Sequence, residues 1–371
     1  MSAERDADLL VIGGGPAGLA TAIHAVRSGL RAVVLDGRRP PVDKACGEGV
    51  MPDGVAELAA LGVEVPIEGS APFAGIRYLD GHDVAEGRFP GAPGLGVRRL
   101  HLHAAMVERA AAEGVDLRWG VTANRLASGG VETEHGRLQT AWVVGADGLN
   151  SRVRVWAGLE GAPPSRLRYA VRRHFTLEPW NDLVEVHFAE GAEAYVTPVG
   201  PRRVGVALLL NGEAGRFDEL MPRFPALVDR LVGAPVESRD RGAGPFARHC
   251  RSVVRENLAL VGDAAGYLDP ITGDGVSLAL HQARALVQAI ASGDLSGYAR
   301  AHRRIARLPE ALTRLLLFAE ARPPLRRRLV RALAAAPDLF SCLLGVHSRQ
   351  RPLSAFGISG VGRLGALLAR G

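Results

Sequence analysis

The stretch Asp8-Leu9-Leu10-Val11-Ile12-Gly13-Gly14-Gly15-Pro16-Ala17-Gly18 decides the fold of this chain. An apolar run of strand length leads into three glycines spaced G-x-G-x-x-G, and a helical pattern follows as far as Gly29. A second apolar run, residues 31–35, ends at Asp36. Strand, glycine turn, helix, strand and acid in this order predict a dinucleotide-binding unit.

Each residue type in this unit has a physical reason to contact a cofactor. One glycine makes the tight turn, one lets the backbone approach a pyrophosphate, and one lets helix and strand pack closely. The N-terminus of the helix that follows the glycines offers free N–H groups and a partial positive charge to phosphates. Asp36 is placed to accept from ribose hydroxyls, which favours FAD or NAD over NADP. The predicted cofactor-binding residues here are Gly13, Gly15, Pro16, Ala17, Gly18, Asp36, Gly37 and Arg38.

The composition is that of an ordinary globular protein. The 371 residues suffice for two domains, and 47% of them are hydrophobic. Three scattered cysteines predict neither a disulfide framework nor a metal site. The first strand begins too early to leave room for a signal peptide, and no run of 18 apolar residues occurs. The sequence therefore predicts a cytoplasmic protein.

The positive charge is not interpreted as a nucleic-acid site. The formal net charge is +6, and Lys44 is the only lysine. The basic residues are therefore nearly all arginine, which suggests a coding bias as much as a function, and they are spread along the chain except near the C-terminus. We predict no nucleic-acid partner, and no protein partner is evident.

The pattern changes after the first 160 residues. Residues 160–250 contain short runs of strand-forming residues, and residues 183–188 alternate polar and apolar side chains. This pattern predicts an antiparallel sheet with one covered face. The expected fold is α/β, or α+β overall. A Rossmann-like domain comprises 1–75, 97–159 and 251–295, a sheet-based substrate domain comprises 76–96 and 160–250, and a helical segment comprises 296–371.

The C-terminal segment is helical, apolar in clusters and rich in arginine. Two interpretations remain open. In the first, a helix rests on a lipid surface as a peripheral membrane contact. In the second, terminal helices pack on the domain and leave an arginine face in solvent. The sequence favours the second interpretation.

Two later stretches repeat the logic of a strand that ends in a polar turn. Residues 145–154 break a buried strand at glycine and place Asp147 in the turn. Residues 257–275 run from a strand through Gly262-Asp263 to Thr272-Gly273-Asp274-Gly275 before a strong helix. Asp263 is placed to accept from ribityl hydroxyls, and the backbone at the helix start to face a flavin ring or an anion. The cofactor-binding residues predicted here are Asp147, Gly262, Asp263, Pro270, Gly273, Asp274 and Gly275.

Together the three motifs resemble the FAD-dependent oxidoreductase superfamily of aromatic hydroxylases (the group A flavin monooxygenases), geranylgeranyl reductases and flavin-dependent halogenases. Residues 145–154 are similar to the family's DG motif and residues 262–275 to its GD motif. Arg99 resembles the helix arginine that contacts FAD in this family, although His103 replaces the family's acid. The resemblance covers about residues 7–295 and implies bound FAD, with a sheet domain covering the flavin.

The loop Cys46-Gly47-Glu48-Gly49 bears on the subfamily. It resembles the Cys-Gly-Gly loop of geranylgeranyl reductases and also the Gly-Glu loop of halogenases. The resemblance places Cys46 and Gly47 at the cofactor, and Cys46 is either a catalytic thiol or a small residue that merely fits. Halogenation is disfavoured because it uses a lysine beyond this loop, whereas no lysine follows Lys44.

The resemblance implies an oxidoreductase that takes electrons from NAD(P)H and acts on a hydrophobic small molecule. Two reactions remain: hydroxylation of an aromatic or phenolic compound in secondary metabolism, and reduction of a C=C bond in an isoprenoid or polyketide. The overall match and the apolar tail favour hydroxylation, while the Cys46 loop favours reduction. A non-catalytic flavin-binding protein is the third hypothesis. Candidate acid and base residues of the substrate pocket are Arg172, His174, His187 and Tyr195.

Overall fold

The computed structural model describes residues 5–164, 167–212 and 214–370. Its strands are β1 (Ala7–Ile12), β2 (Ala32–Asp36), β3 (Gly49–Val50), β4 (Ser70–Phe73), β5 (Gly75–Asp80), β6 (Asp83–Arg88), β7 (Gly94–Val97), β8 (Asp116–Trp119), β9 (Ala123–Ala127), β10 (Gly130–Thr133), β11 (Gly136–Gly145), β12 (Arg168–Phe175), β13 (Leu183–Ala189), β14 (Ala192–Gly200), β15 (Arg203–Asn211), β16 (Arg241–Ala243), β17 (Val254–Arg255) and β18 (Leu258–Leu260).

The helices complete the architecture, together with a few short 3₁₀ turns. They are α1 (Pro16–Arg27), α2 (Pro52–Ala60), α3 (Arg99–Ala112), α4 (Arg152–Trp156), α5 (Phe217–Leu220), α6 (Pro225–Leu231), α7 (Gly275–Ala291), α8 (Leu295–Glu320), α9 (Pro323–Ala334), α10 (Pro337–His347) and α11 (Gly357–Arg370).

The first sheet is built around β1. Its strand order is β17-β18-β11-β1-β2-β8, and β1 pairs in parallel with both β2 and β11. Leu9 and Val11 belong to a core with α1, α3 and α7, whereas Leu10 and Ile12 belong to a core on the opposite face. A parallel strand covered on both faces needs a continuous apolar run, which is why residues 9–12 are all apolar. The predicted Rossmann-like unit is confirmed.

The second sheet is largely antiparallel and has the order β16-β12-β15-β14-β13-β5-β6. Every residue of β14 is buried, because this strand lies centrally between β13 and β15 and both of its faces are covered. Strand β13 pairs in parallel with β5, which brings residues 75–88 to strands that follow much later in the chain. A small third sheet, β3-β7-β4, lies against β14.

The C-terminal helices pack on the second sheet. Helices α9 and α10 cover the β5–β6 hairpin, where Val330 and Phe340 are buried. Within the described ranges, no single helix combines the length and apolar character needed to cross a bilayer. Helices α9 and α10, bent by 103° at their junction, meet that test only as a pair.

A buried ion pair fastens this helical segment to the sheet. The Arg326 side chain on α9 donates to both carboxylate oxygens of Asp80 at the end of β5, at 2.7 and 3.1 Å. Both side chains are almost fully buried. Removing one partner of such a pair leaves an uncompensated charge inside the protein.

We therefore expect Asp80→Ala to lower the free energy of unfolding by about 3–5 kcal/mol, measured by urea denaturation. The control is Asp338→Ala, which removes the partner of Arg363 in a pair that lies at the surface. That variant should leave stability nearly unchanged, because exposed pairs contribute little. Equal losses in the two variants would contradict this assignment.

Candidate cofactor and substrate site

One continuous cavity of about 950 Å³ runs from the glycine turn after β1 to the C-terminal helices. It collects most of the residues that the sequence predicts for the cofactor, although they come from widely separated segments. The predicted residues in its wall are Gly13, Gly15, Pro16, Ala17, Asp36, Arg38, Cys46, Gly47, Arg99, Asp147, Gly262, Asp263, Pro270, Gly273 and Gly275.

The three motif glycines have different structural roles. Gly13 has a φ of +111°, and a Cβ there would collide with the Ala146 carbonyl. A Cβ on Gly18 would collide with the carbonyl oxygen of Gly13, so this glycine allows helix and turn to pack. A Cβ on Gly15 would meet only the Arg99 guanidinium, at 3.7 Å. Gly15 therefore keeps space open in the cavity, whereas Gly18 lies outside its wall.

Asp36 is fixed in place by the backbone around it. Its carboxylate accepts hydrogen bonds from the N–H of Gly14 at 3.0 Å and from the N–H of Arg38 at 2.9 Å. These bonds join the end of β2 to the glycine turn. The carboxylate is thereby held at the cavity wall in the position expected for a ribose-binding acid.

His103 on α3 supports the same turn. The Val42 N–H donates to its Nδ1 at 3.3 Å, so Nε2 carries the proton and donates to the Gly14 carbonyl at 2.8 Å. Burial lowers the pKa of His103, which keeps the imidazole neutral at pH 7. A neutral histidine thus braces the glycine turn from the side of α3.

Lys44 is a site residue that the sequence analysis did not assign. Its Nζ donates to the Asp263 carboxylate at 2.8 Å, across 219 residues of chain. Burial by itself would raise the pKa of Asp263, but the positive charges of Lys44, Arg99 and Arg154 outweigh it and lower the pKa. Asp263 is therefore ionised. The sequence feature that distinguishes Lys44 is that it is the single lysine in an arginine-rich chain.

Arg99 begins α3 and points its guanidinium at the cavity. Its backbone N–H donates to Glu48 at 2.9 Å, while its side chain makes no hydrogen bond within the described ranges. Helix α1 also starts in this region, and Gly15 provides no side-chain cap for its free N–H groups. A cation, open helix N–H groups and the space at Gly15 together fit an anionic group such as a pyrophosphate.

Glu48 is the second residue that the sequence analysis did not assign. Its φ of +61° lies in the left-handed region that favours glycine, yet its side chain is buried. The carboxylate lies 2.5 Å from His174 Nε2, and Arg172 donates to His174 Nδ1 at 2.9 Å. Because arginine only donates, His174 accepts at Nδ1 and donates from Nε2 to Glu48. Arg172 also donates to Asp43 at 2.6 Å, so both ends of the loop are tied to β12.

Cys46 lies in the same loop, at the cavity wall. Its Sγ accepts a hydrogen bond from the Glu48 N–H at 3.3 Å. Burial raises the pKa of the Cys46 thiol, and the nearby Glu48 carboxylate raises it further, against the opposing effect of Arg99. The side chain is therefore a protonated thiol at pH 7, suited to donating a proton rather than to acting as a thiolate nucleophile.

The structure separates the four acid and base candidates of the second sheet. Arg172 and Tyr195 line the cavity. His174 is outside the lining and bonded to Glu48, and His187 is paired with Glu185 at 3.0 Å. Tyr195 donates its hydroxyl proton to Glu193 at 2.8 Å, and burial together with Glu193 raises the pKa of this tyrosine well above its usual value.

The far end of the cavity is apolar and is built by the C-terminal helices. We call this part the apolar arm. Packing of the terminal helices was expected, but their role as a cavity wall was not. The arm is lined by Leu308, Leu312, Leu315, Leu316, Leu329, Leu333, Phe340, Leu343, Leu344, Leu353, Phe356, Val361, Leu364, Gly365 and Leu368.

Three predicted cofactor residues lie outside the cavity wall. Besides Gly18, these are Gly37 and Asp274. A Cβ on Gly37 would approach the Thr122 hydroxyl to 2.7 Å, so Gly37 allows two loops to pack. The Asp274 carboxylate accepts from the Thr272 hydroxyl at 2.9 Å and thereby holds the turn before α7. These residues hold the loops that form the cavity wall but do not line the cavity themselves.

Comparison with known proteins agrees with this geometry. The FAD binding domain family matches residues 6–190. A menaquinone reductase from Mycolicibacterium smegmatis is 29% identical over 324 residues, covering 80% of this chain and 79% of that protein. A digeranylgeranylglycerophospholipid reductase from Methanosarcina mazei is 28% identical over 327 residues, covering 78% and 77%.

Solved structures share the fold at lower identity. A flavoprotein/dehydrogenase from Cytophaga hutchinsonii superimposes with a TM-score of 0.80 at 16% identity, covering 98% of both chains. A geranylgeranyl bacteriochlorophyll reductase-like protein from Thermoplasma acidophilum gives 0.67 at 20% identity, covering 98% of this chain and 96% of that one. Motifs, site geometry and relatives agree: residues 6–190 belong to the FAD binding domain family, and the chain is an FAD-dependent oxidoreductase that is similar to the menaquinone and digeranylgeranylglycerophospholipid reductases.

Proposed function

We propose that this oxidoreductase reduces carbon–carbon double bonds in the isoprenoid chain of a lipid. The observation that carries the proposal is the apolar arm, which continues directly from the polar end of the cavity. Leucine, phenylalanine and valine side chains line it almost throughout, as suits a long hydrocarbon chain. The two relatives described above are named as reductases, one of menaquinone and one of a digeranylgeranyl phospholipid.

The polar end of the cavity fits FAD. The pyrophosphate would be held by Arg99, the space at Gly15 and the start of α1. Asp36 would bind the ribose, and Asp263 with Lys44 would bind the ribityl hydroxyls. When bound, FAD supplies the two electrons that reduction of a double bond requires. We propose NAD(P)H as the source of those electrons.

Cys46 is the proposed proton donor to the substrate carbon. It holds a proton on Sγ because burial raises its pKa, and it lies in the loop that joins the polar end to the second sheet. Tyr195 is the less suitable donor, because its hydroxyl group already donates a hydrogen bond to Glu193. Glu48 and Thr197 position the loop, the latter by donating to the Gly47 carbonyl at 2.8 Å.

Hydroxylation of a phenolic lipid is the alternative, because the apolar arm accommodates its hydrocarbon part equally well. The two reactions differ in the mass of the product. The test incubates the FAD-loaded protein, reduced with dithionite under anaerobic conditions, with geranylgeraniol or a menaquinone and analyses the lipid by mass spectrometry. Reduction adds two hydrogens for each double bond. A parallel incubation in air with NAD(P)H tests hydroxylation. A product that gains one oxygen atom in that incubation alone would replace our proposal with hydroxylation.

The FAD assignment predicts the behaviour of Gly15→Val. The new side chain has room in the folded protein, since a Cβ at Gly15 contacts only the Arg99 guanidinium, but it would project into the space for the pyrophosphate. We expect a folded protein with little bound FAD, measured by absorbance and thermal unfolding. Gly297→Val on α8, outside the cavity wall, is the control and should retain FAD. A yellow, FAD-loaded Gly15→Val protein would contradict the assignment.

The proton-donor assignment predicts a selective loss in Cys46→Ser. We expect the rate of lipid reduction to fall by about 100-fold, the usual contribution of a positioned acid, with FAD content unchanged. The pH profile of the rate should change as well, because the hydroxyl does not titrate near the thiol. Cys342→Ser on α10, outside the cavity wall, serves as control. Unchanged kinetics in Cys46→Ser would remove this residue from the mechanism.

The apolar arm predicts a dependence on chain length in Gly365→Phe. A Cβ on Gly365 meets nothing within 4 Å, and this residue lines the arm. A phenyl group there should raise the KM for a geranylgeranyl substrate about tenfold or more and affect a geranyl substrate less. Gly362 on the same helix is equally unobstructed but lies outside the cavity wall, so Gly362→Phe is the matched control. Equal effects in both variants would argue against the arm as the chain-binding site.

A further inference from the structure

The wall of the apolar arm reaches the protein surface on α8 and along residues 353–361, which lead into α11. Leu315, Leu353 and Val361 line the cavity and yet are 54%, 63% and 62% exposed. Next to them in the chain, Phe318 is 51% and Ile358 is 93% exposed. We call these five side chains the α8–α11 patch. A cluster of exposed large apolar side chains marks an interaction surface.

The charge around this patch is strongly positive. From Leu295 to the C-terminus the chain carries 14 arginines and three acidic residues, whereas the preceding part carries more acidic than basic residues. The excess positive charge of the protein therefore lies in the segment that forms the arm and its opening. An anionic surface is the partner that this asymmetry favours.

Arginines on α8 and just after its end lie beside the apolar side chains of the patch. Arg307 and Arg314 occur at helical spacing that places them on the same exposed side of α8 as Leu315 and Phe318, and Arg322 follows in the turn before α9. The guanidinium of Arg322 lies 3.8 Å from the centre of the Phe318 ring. Arg322 also donates to the Phe318 carbonyl at 3.1 Å, and the Arg307 side chain is exposed. Arginines that flank exposed apolar side chains are typical of helices that lie in a membrane interface.

We propose that the α8–α11 patch docks on the surface of a bilayer that contains anionic lipids. Ile358 and Phe318 would enter the interface, and the flanking arginines would contact the headgroups. Docking would place the opening of the apolar arm against the lipid phase, so that a lipid substrate enters the cavity without crossing water. The docking itself stands on the patch and its charge; the delivery of substrate rests on the proposed function.

A bilayer fits the patch better than a second copy of this chain. In a face-to-face dimer, the arginine-rich patch of one copy would lie against the same patch of the other copy, and the like charges would repel each other. A face-to-face dimer would also close the opening of the arm, because Leu315 and Val361 line the cavity and belong to the patch. Dimerisation is therefore the competing outcome of the test.

The experiment measures co-sedimentation of the FAD-loaded protein with two kinds of vesicle. One kind contains phosphatidylcholine alone and the other contains phosphatidylcholine with phosphatidylglycerol. We expect binding to the anionic vesicles to be about tenfold or more tighter and to weaken at high salt. Ile358→Glu should weaken it about tenfold. Ile67→Glu is the matched control, because Ile67 is 78% exposed but lies outside the cavity wall, in the 3₁₀ turn before β4.

Several results would overturn the docking proposal. They are no binding to anionic vesicles, equal binding to both kinds of vesicle, or equal effects of Ile358→Glu and Ile67→Glu. Conversion of a dimer to a monomer by Ile358→Glu, seen by analytical ultracentrifugation, would assign the patch to self-association instead. Failure of the proposed reaction is detected separately, because reduction of detergent-solubilised geranylgeraniol requires no vesicle, and Ile358→Glu should leave that rate unchanged.

Discussion

The buried carboxylate of Glu48 is the interaction on which the arrangement of the site depends. It accepts from the backbone of Arg99 at the start of α3 and from His174 on β12, so it joins the first sheet's helices to the second sheet. Glu48 keeps a left-handed backbone conformation because these bonds offset its cost. Without the carboxylate, His174 and Arg172 would stay buried but would lose this negatively charged partner. An unpaired polar or charged group in a low-dielectric interior lowers the stability of the fold.

The cavity combines two environments, one charged and one apolar. At one end, Lys44, Arg99 and Asp263 provide fixed charges, and the pKa of Asp263 is lowered as its positive neighbours require. At the other end, four helices provide a wall of leucine and phenylalanine. Cys46 lies in the loop between them, and burial raises the pKa of its thiol, which keeps it protonated. The charged end and the apolar arm of the cavity thus meet at a single short loop.

Local pattern predicted the parts of the site that are formed by neighbours in the chain. The glycine turn, Asp36 and the start of α1 were predictable because strand and helix periodicities and turn residues act within about 30 residues. Cys46 was noticed, but its protonation state depends on burial that no local pattern contains. Glu48 and Lys44 went unassigned because their partners His174 and Asp263 are 126 and 219 residues away. Arg172 and His187 could not be separated because both lie in strands whose exposed face is set by packing.

By itself the sequence determined the order of strand, turn and helix around the cofactor-binding end, and with it the class of fold. The reason is that backbone conformation and amphipathic period are local properties. Only the tertiary structure decided that the C-terminal helices form the apolar arm and its opening, although their composition was already apolar and basic. Which face of a helix meets solvent, a sheet or a cavity depends on elements hundreds of residues away, and the same leucine pattern satisfies each of these environments.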